Sequence, residues 1–194
     1  MEVIHDAFQG LSYWSDFMPR PSFEGVMIDV HEYQIATPEG NAMSWDQHIS
    51  AACSKREQYA NFHLWTLVGE WTLAATDCAR YGNGRDTGAR YEGKYPGSWY
   101  IGSCKPWTGD GNAFSTEYKT FLRKFWEAQV AGQHLDLSSQ DVKLTRSAAW
   151  EAGDGWIYWT WRVEDADEWS YQAGLKFGWI PWDPTERIYP GICG

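Results

Sequence analysis

The sequence lacks any apolar run long enough to cross a membrane. A spanning helix needs about 18 or more consecutive apolar residues, and every apolar stretch here is shorter. The first residues, M-E-V-I-H-D, also lack the basic and apolar regions of a secretory signal peptide. We therefore expect no membrane span and no signal peptide in this chain.

The sequence also has little positive charge and no metal-binding cysteine pattern. Sixteen Lys and Arg stand against 26 Asp and Glu, which gives a net charge of −10. A nucleic-acid binder needs clustered Lys and Arg, so we expect no nucleic-acid partner. No C-x-x-C pair occurs, which argues against a zinc cluster. We expect neither a metal nor another cofactor.

The four cysteines are dispersed along the chain, at Cys53, Cys78, Cys104 and Cys193. Two disulfides in an oxidising compartment account for them, and three connectivities are possible. Four reduced cysteines in the core of a cytosolic protein remain the alternative.

Aromatic residues are the most abundant unusual feature. The 194 residues, enough for one domain, include 14 Trp, 11 Tyr and 8 Phe. Such rings stack on sugars or fill a large core, and composition alone does not choose between these uses.

Segments of strand character alternate with segments of helical character, which predicts an α/β fold with a parallel sheet. We predict strands at Glu2–Phe8, Gly25–Ile35, His63–Glu70 and Gly155–Trp161, the third buried on both faces. We predict helices beginning at Ser44 with a capping box to Gln47, at Phe114–Val130 and at Glu168–Lys176.

In parallel β/α folds the reactive groups lie at the carboxyl ends of the strands. Glu70 ends the third predicted strand, and it serves either as a catalytic carboxylate or as a paired structural charge. His31 and Tyr33 end the second strand on the face that Asp29 shares. Taken alone, His31 reads by default as a hydrogen-bonded core histidine, and Trp161 is as compatible with a core tryptophan as with a sugar platform.

Many short motifs occur in an order that resembles one protein family. They are I-H-D-A-F-Q (4–9), D-x-H-x-Y-Q (29–34), H-I-S-A-A-C (48–53), V-G-E-W (68–71), T-D-C-A (76–79), G-A-R-Y-E-G (88–93), G-S-C (102–104), E-A-Q (127–129) and G-W-I-Y-W-T-W (155–161). This series resembles the C-terminal half of the fungal exo-β-1,3-glucanases of glycoside hydrolase family five.

The resemblance implies an α/β chain that forms strands five to eight of a (β/α)8 barrel, truncated at the N-terminus. It implies a retaining glycoside hydrolase that releases glucose from β-1,3-glucan. In that reading Glu70 is the nucleophile, His31 binds the sugar and Tyr33 keeps Glu70 ionised. Trp161, Phe8 and Asn83 would contact the substrate.

The resemblance also implies disulfides that join Cys53 to Cys193 and Cys78 to Cys104, and a secreted or cell-wall-associated parent enzyme. The family's acid/base glutamate belongs to an Asn-Glu-Pro motif, which this sequence lacks. The chain is therefore expected to carry the nucleophile half and to be inactive alone.

Two alternatives stay open. The first concerns function, because a non-catalytic β-glucan-binding protein would also use a Trp-rich cleft. The second concerns residues 131–150, which lack the aromatic density of their flanks and have no counterpart in the family. That stretch is either a retained intron that is translated or a genuine surface insertion within a domain of residues 1–194.

Overall fold

The structure, a computed structural model, describes residues 1–130 and 155–194. Its strands and α-helices, in chain order within each kind, are β1 (Glu2–His5), β2 (Val26–Glu32), β3 (Trp65–Trp71), β4 (Gly155–Trp156), α1 (Pro38–Asn41), α2 (Trp45–Ser54), α3 (Arg56–Ala60), α4 (Thr116–Val130) and α5 (Tyr171–Phe177). Short 3₁₀ helices cover Leu11–Trp14 and Asp167–Trp169. The predicted insertion at 131–150 lies outside the described residues.

The four strands form one parallel sheet in the order β1-β2-β3-β4. Parallel neighbours cannot be joined by a tight hairpin and need a crossover connection. Here α1, α2 and α3 lie between β2 and β3 in the chain, and α4 lies between β3 and β4. The predicted α/β class with parallel strands is confirmed.

Helix α4 is packed as its periodicity predicts. Helical spacing in this segment predicts one stripe along a shared face, and all of its members are buried: Tyr118, Phe121, Leu122, Phe125 and Gln129. Burying one large apolar side chain contributes about 1.5–3 kcal/mol. This stripe therefore anchors the helix to the core of the domain.

Helix α2 begins with the predicted capping box. The amide of Gln47 donates to Ser44 Oγ at 3.3 Å, and Gln47 Oε1 accepts from the amide of Ser44 at 2.8 Å. The helix then packs on α4, where Trp45 stacks on Phe121 with 5.0 Å between ring centroids. The two helices thus cover the sheet as one layer.

An aromatic cluster joins the sheet to this helix layer. Trp71 at the end of β3 lies 5.4 Å from Trp126 of α4 and 4.9 Å from Tyr158, between ring centroids. Trp71 and Trp126 are completely buried. Much of the high aromatic content is therefore core.

Three predicted strands extend too far. β2 ends at Glu32 rather than at Ile35, so Tyr33 lies just beyond it. β1 ends at His5 rather than at Phe8 because Ala7 and Phe8 have positive φ angles of 53° and 58°, which no strand accommodates. β4 covers only two residues, although the amides of Ile157 and Trp159 still donate to carbonyls of β3. The amide of Thr160 donates instead to Trp169 O, so the chain leaves the sheet before Trp161.

The prediction that β3 is buried on both faces is wrong. Thr66 and Val68 are buried, whereas Leu67, Gly69 and Glu70 are only half-buried. Helices pack on the first face, while the second keeps its contact with solvent in the part of the chain described here. That second face carries the candidate site.

Two disulfides and one buried carboxylate fix the long connections. The bonds are Cys53–Cys193 and Cys78–Cys104, the pairing that the resemblance implies. Glu127 of α4 accepts from Arg123 Nε at 2.7 Å and from the amide of Tyr189 at 2.7 Å. The C-terminal segment is therefore tied to both α2 and α4.

Candidate active site

The carboxyl ends of β1, β2 and β3 bring acidic and imidazole groups together on one face. A β-bulge in β3 produces this arrangement, because Val30 pairs with Val68 whereas His31 pairs with Glu70. Gly69 is the extra residue, and it moves Glu70 from the helix face to the face of His31. Without the bulge, strand alternation would turn Glu70 away from His31.

Glu70 lies within hydrogen-bonding distance of a tyrosine and close to a histidine. Tyr33 donates its hydroxyl to Glu70 Oε2 at 2.8 Å. His31 Nδ1 lies 3.4 Å from the same oxygen. Burial and the hydrogen bond to Glu70 raise the pKa of Tyr33 far above its ordinary value, so Tyr33 remains a donor.

His31 is held by its neighbours on the other sides. Asp29 Oδ2 lies 3.4 Å from Nε2 of the ring. The rings of His5 and Phe8 meet the ring of His31 edge to face, at centroid distances of 4.4 and 5.9 Å. The structure therefore brings together Glu70, His31, Tyr33 and Phe8 of the predicted site.

Sequence reasoning assigned no role to Asp29 or His5. The signal for Asp29 was its place two residues before His31, which puts both on one strand face. The signal for His5 was weaker, since only the sheet register sets it opposite Asp29.

The structure places Trp161 next to the outer helix α5. Its ring stacks on Tyr171 at 5.9 Å and borders a cavity of about 740 Å³ that α5 and Trp182 also line. Trp159 lies nearer the end of β3, because its amide donates to Trp71 O at 2.9 Å. Tyr158 packs towards the helices, whereas Trp159 is 48% exposed.

Asn83 supports a loop in this structure. Its Nδ2 donates to Asp77 Oδ2 at 2.8 Å and to Gly88 O at 3.3 Å. Its Oδ1 accepts from Arg90. Asp77 also accepts from the amides of Arg90 and Tyr91, so this carboxylate organises the loop after β3.

Within residues 1–130 and 155–194, none of the helices has both the length and the apolar character needed to cross a bilayer. In the same ranges no group of three or more His, Cys, Asp or Glu side chains is placed to hold a metal ion.

Comparison with known proteins supplies the relatives of this chain. It is 38% identical over 194 residues to a glucan 1,3-beta-glucosidase of Yarrowia lipolytica, a match that covers 99% of this chain and 42% of that protein. This chain is a homologue of the glucan 1,3-beta-glucosidases. It is also 38% identical to the glucan 1,3-beta-glucosidase of Candida oleophila and 37% identical to glucan 1,3-beta-glucosidase I/II of Saccharomyces cerevisiae.

The resemblance found in the motifs is therefore confirmed. The match is to the C-terminal half of these glucosidases, and the chain spans about two fifths of the length of the relatives. No protein-family profile matches the chain.

Proposed function

We propose that this chain carries the nucleophile half of a retaining glycosidase that releases glucose from β-1,3-glucan. The observation that carries the proposal is the short hydrogen bond from Tyr33 to Glu70, beside His31, at the carboxyl end of a parallel sheet. In β/α barrels this end holds the catalytic groups. The four strands would then be strands five to eight of a (β/α)8 barrel.

Glu70 acts as the nucleophile in this proposal. One carboxylate oxygen forms a bond to the anomeric carbon while the bond from that carbon to the leaving glucan oxygen breaks. A second carboxyl group, about 5 Å away in retaining enzymes, gives its proton to the leaving oxygen. Water activated by that group then attacks the glucosyl ester, which frees glucose and regenerates Glu70.

The neighbours of Glu70 prepare it for this step. The Tyr33 hydroxyl donates a charge-assisted hydrogen bond, which stabilises the ionised carboxylate and orients it. His31 presents a ring nitrogen to the same carboxylate and is close enough to bind a hydroxyl of the bound sugar.

Exposed aromatic rings supply the stacking surfaces for glucose in this proposal. Phe8 is 71% exposed beside His31, and Trp161 and Trp159 are 61% and 48% exposed after β4. Trp161 is the predicted platform, and Trp159 is a second candidate because its amide donates to the carbonyl of Trp71, the residue after Glu70. Asn83 would border the pocket as part of the loop that Asp77 organises.

The second carboxylate is the part of the mechanism that we do not assign in this chain. The sequence of this chain contains no Asn-Glu-Pro motif, to which the acid/base glutamate of the family belongs. We therefore expect the chain alone to leave unactivated glucan uncleaved, since an unprotonated sugar oxygen is a poor leaving group. A glucoside with a dinitrophenolate leaving group needs no such proton, and the chain alone should turn it over slowly.

The experiment compares the wild-type chain with Glu70→Gln on dinitrophenyl β-glucoside. We expect Glu70→Gln to lower the rate of dinitrophenolate release by a factor on the order of 10³ or more. Calorimetry with laminarin is run on both proteins. Binding of laminarin without release of dinitrophenolate from either protein would favour the alternative of a non-catalytic β-glucan-binding protein, which the exposed rings also support.

We propose a secreted or cell-wall location for the parent enzyme. Two disulfides support it, because such bonds persist in oxidising compartments and are rare in the cytosol. Polymeric β-glucan as a substrate agrees with that location.

A further inference from the structure

Asp29 is a charged group that the proposed mechanism does not use. It lies on β2 on the face of Glu70, with its side chain 23% exposed. Its Oδ1 atom is buried and has no hydrogen-bond partner among the residues that the structure describes. A buried carboxylate oxygen without a donor costs free energy, so this placement calls for a reason.

The bulge residue Gly69 makes room for that carboxylate. A Cβ atom at position 69 would lie 2.7 Å from Asp29 Cγ and closer still to Oδ1, which no real side chain tolerates. The glycine thus has two effects. It turns Glu70 towards His31, and it leaves the space that the Asp29 carboxylate fills.

The imidazole of His31 lies between two carboxylates. Asp29 Oδ2 faces Nε2 and Glu70 Oε2 faces Nδ1, each at 3.4 Å. From β1, the ring of His5 packs against the ring of His31. A carboxylate next to a ring nitrogen favours a proton on that nitrogen, and the opposite nitrogen is then oriented by the same contact.

We propose that Asp29 is a positioning residue that keeps a proton on Nε2 of His31 and so turns Nδ1 towards Glu70. Gly69 is required because it alone leaves room for the Asp29 carboxylate. This inference rests on the proposed function, since it concerns the histidine beside the proposed nucleophile. It adds two residues, from two strands, to the set that shapes the site.

The test is a proton–nitrogen correlation spectrum of the histidine rings in the full nitrogen-labelled chain. The signals that disappear in His31→Gln belong to His31. We expect Nε2 of His31 to carry a proton in the wild-type chain, whether or not Nδ1 also carries one. Asp29→Asn and Gly69→Ala should each weaken or remove the proton signal on Nε2 of His31, because the remaining carboxylate, Glu70, faces Nδ1 and favours a proton there.

The control is Asp16→Asn, an exposed aspartate, which should leave the His31 signals unchanged. A bare Nε2 in the wild-type chain would overturn the proposal, whatever the variants do. Unchanged His31 signals in Asp29→Asn or in Gly69→Ala would also overturn it. The signals of the buried His48 report whether each variant is folded. The measurement needs no turnover, so its failure leaves the assignment of Glu70 standing, and the reverse also holds.

Discussion

Two side chains of the site, Tyr33 and His31, contact the same carboxylate oxygen, Glu70 Oε2. A carboxylate that accepts a hydrogen bond from a neutral donor stays ionised and points in one direction, as a nucleophile requires. Tyr33 suits this task because burial and the hydrogen bond to Glu70 raise its pKa, so the hydroxyl keeps the proton that it donates.

Tyr33→Phe tests this contact directly. A hydrogen bond to a charged group contributes about 1.5–3 kcal/mol, which corresponds to roughly a 10- to 100-fold change in rate. We expect the rate of dinitrophenolate release from the activated glucoside to fall by that factor. Tyr13→Phe is the matched control, because Tyr13 is exposed on the surface, and an equal loss in that variant would contradict the account.

Glu168 is a second residue with a measurable consequence, this time for stability. It is completely buried, and this burial raises its pKa to about 8. The folded chain therefore holds a proton that the unfolded chain has already lost above about pH 4.5. The contribution of Glu168 to the free energy of unfolding is therefore fully present below that pH. As the pH rises, this contribution falls by about 1.4 kcal/mol per pH unit until the pKa of the folded state is reached.

Glu168→Gln should remove this loss. We expect the free energy of unfolding in urea to decrease less between about pH 5 and about pH 7.5 in the variant than in the wild type. His48, whose pKa burial lowers to about 4, has the opposite dependence, but it is common to both proteins and cancels in the comparison. Parallel curves for the two proteins would refute the assignment, and Glu164→Gln serves as an exposed control.

At the scale of elements, the bulge in β3 is the device that builds the site. One extra residue changes the register between Val30 and His31 and brings Glu70 across from His31. The sequence predicted the strand and its last carboxylate, and it predicted that His31 and Tyr33 lie at the end of the neighbouring strand. It did not predict the bulge, because the register depends on the pairing partner and not on the strand itself.

Contacts with distant parts of the chain, which local patterns do not specify, also explain the other differences between prediction and structure. Alternating side chains in Gly155–Trp161 indicated a strand, but hydrogen bonding to Trp169 draws Thr160 and Trp161 out of the sheet. The place of Asn83 at the pocket stays a prediction, and its hydrogen bonds to Asp77 and Gly88 come from a loop that no local pattern specifies. By contrast, the stripe on α4 and the cap of α2 are local patterns, and both are present.

Helix α4 also holds the C-terminal segment, which gives an element-scale prediction. Glu127 is completely buried and pairs with Arg123 and with backbone amides near Tyr189. Removing one partner of a buried ion pair costs about 3–5 kcal/mol because the other charge is left uncompensated. We expect Glu127→Ala to lower the free energy of unfolding in urea by that amount.

Glu117→Ala, in the first turn of the same helix, is the control for Glu127→Ala. Glu117 is exposed there and contributes only through the helix dipole, whose effect solvent screens at the surface. A loss at Glu127 no larger than that at Glu117 would show that the buried pair does not anchor the tail.

At the scale of the whole molecule, the sheet presents one face to its helices and one to solvent. Glu70 and His31 keep 29% and 17% of their side chains exposed on the second face. A substrate can therefore reach the site in the described structure. Phe8, which packs against His31, is exposed as well.

The two disulfides connect distant parts of the molecule, and they close loops of very different lengths. Cys53–Cys193 spans 140 residues and Cys78–Cys104 spans 26. The chain-entropy estimate gives about 5 kcal/mol for the longer loop and between about 3 and 4 kcal/mol for the shorter one. We expect the double Cys→Ser variant at 53 and 193 to be less stable in urea than the one at 78 and 104, and the reverse order would contradict this account.

The central claim is that Glu70 is a nucleophile, and covalent trapping tests it most directly. The probe is a dinitrophenyl β-glucoside with fluorine on the carbon next to the anomeric carbon. The fluorine slows hydrolysis of the glucosyl ester, and the dinitrophenolate leaving group needs no acid catalyst. After incubation with the full chain, mass spectrometry of proteolytic peptides locates the sugar. The account predicts one fluoroglucosyl group on Glu70 and none on the Glu70→Gln variant. A sugar on another carboxylate, or an unlabelled wild-type chain that still binds the probe, would contradict it.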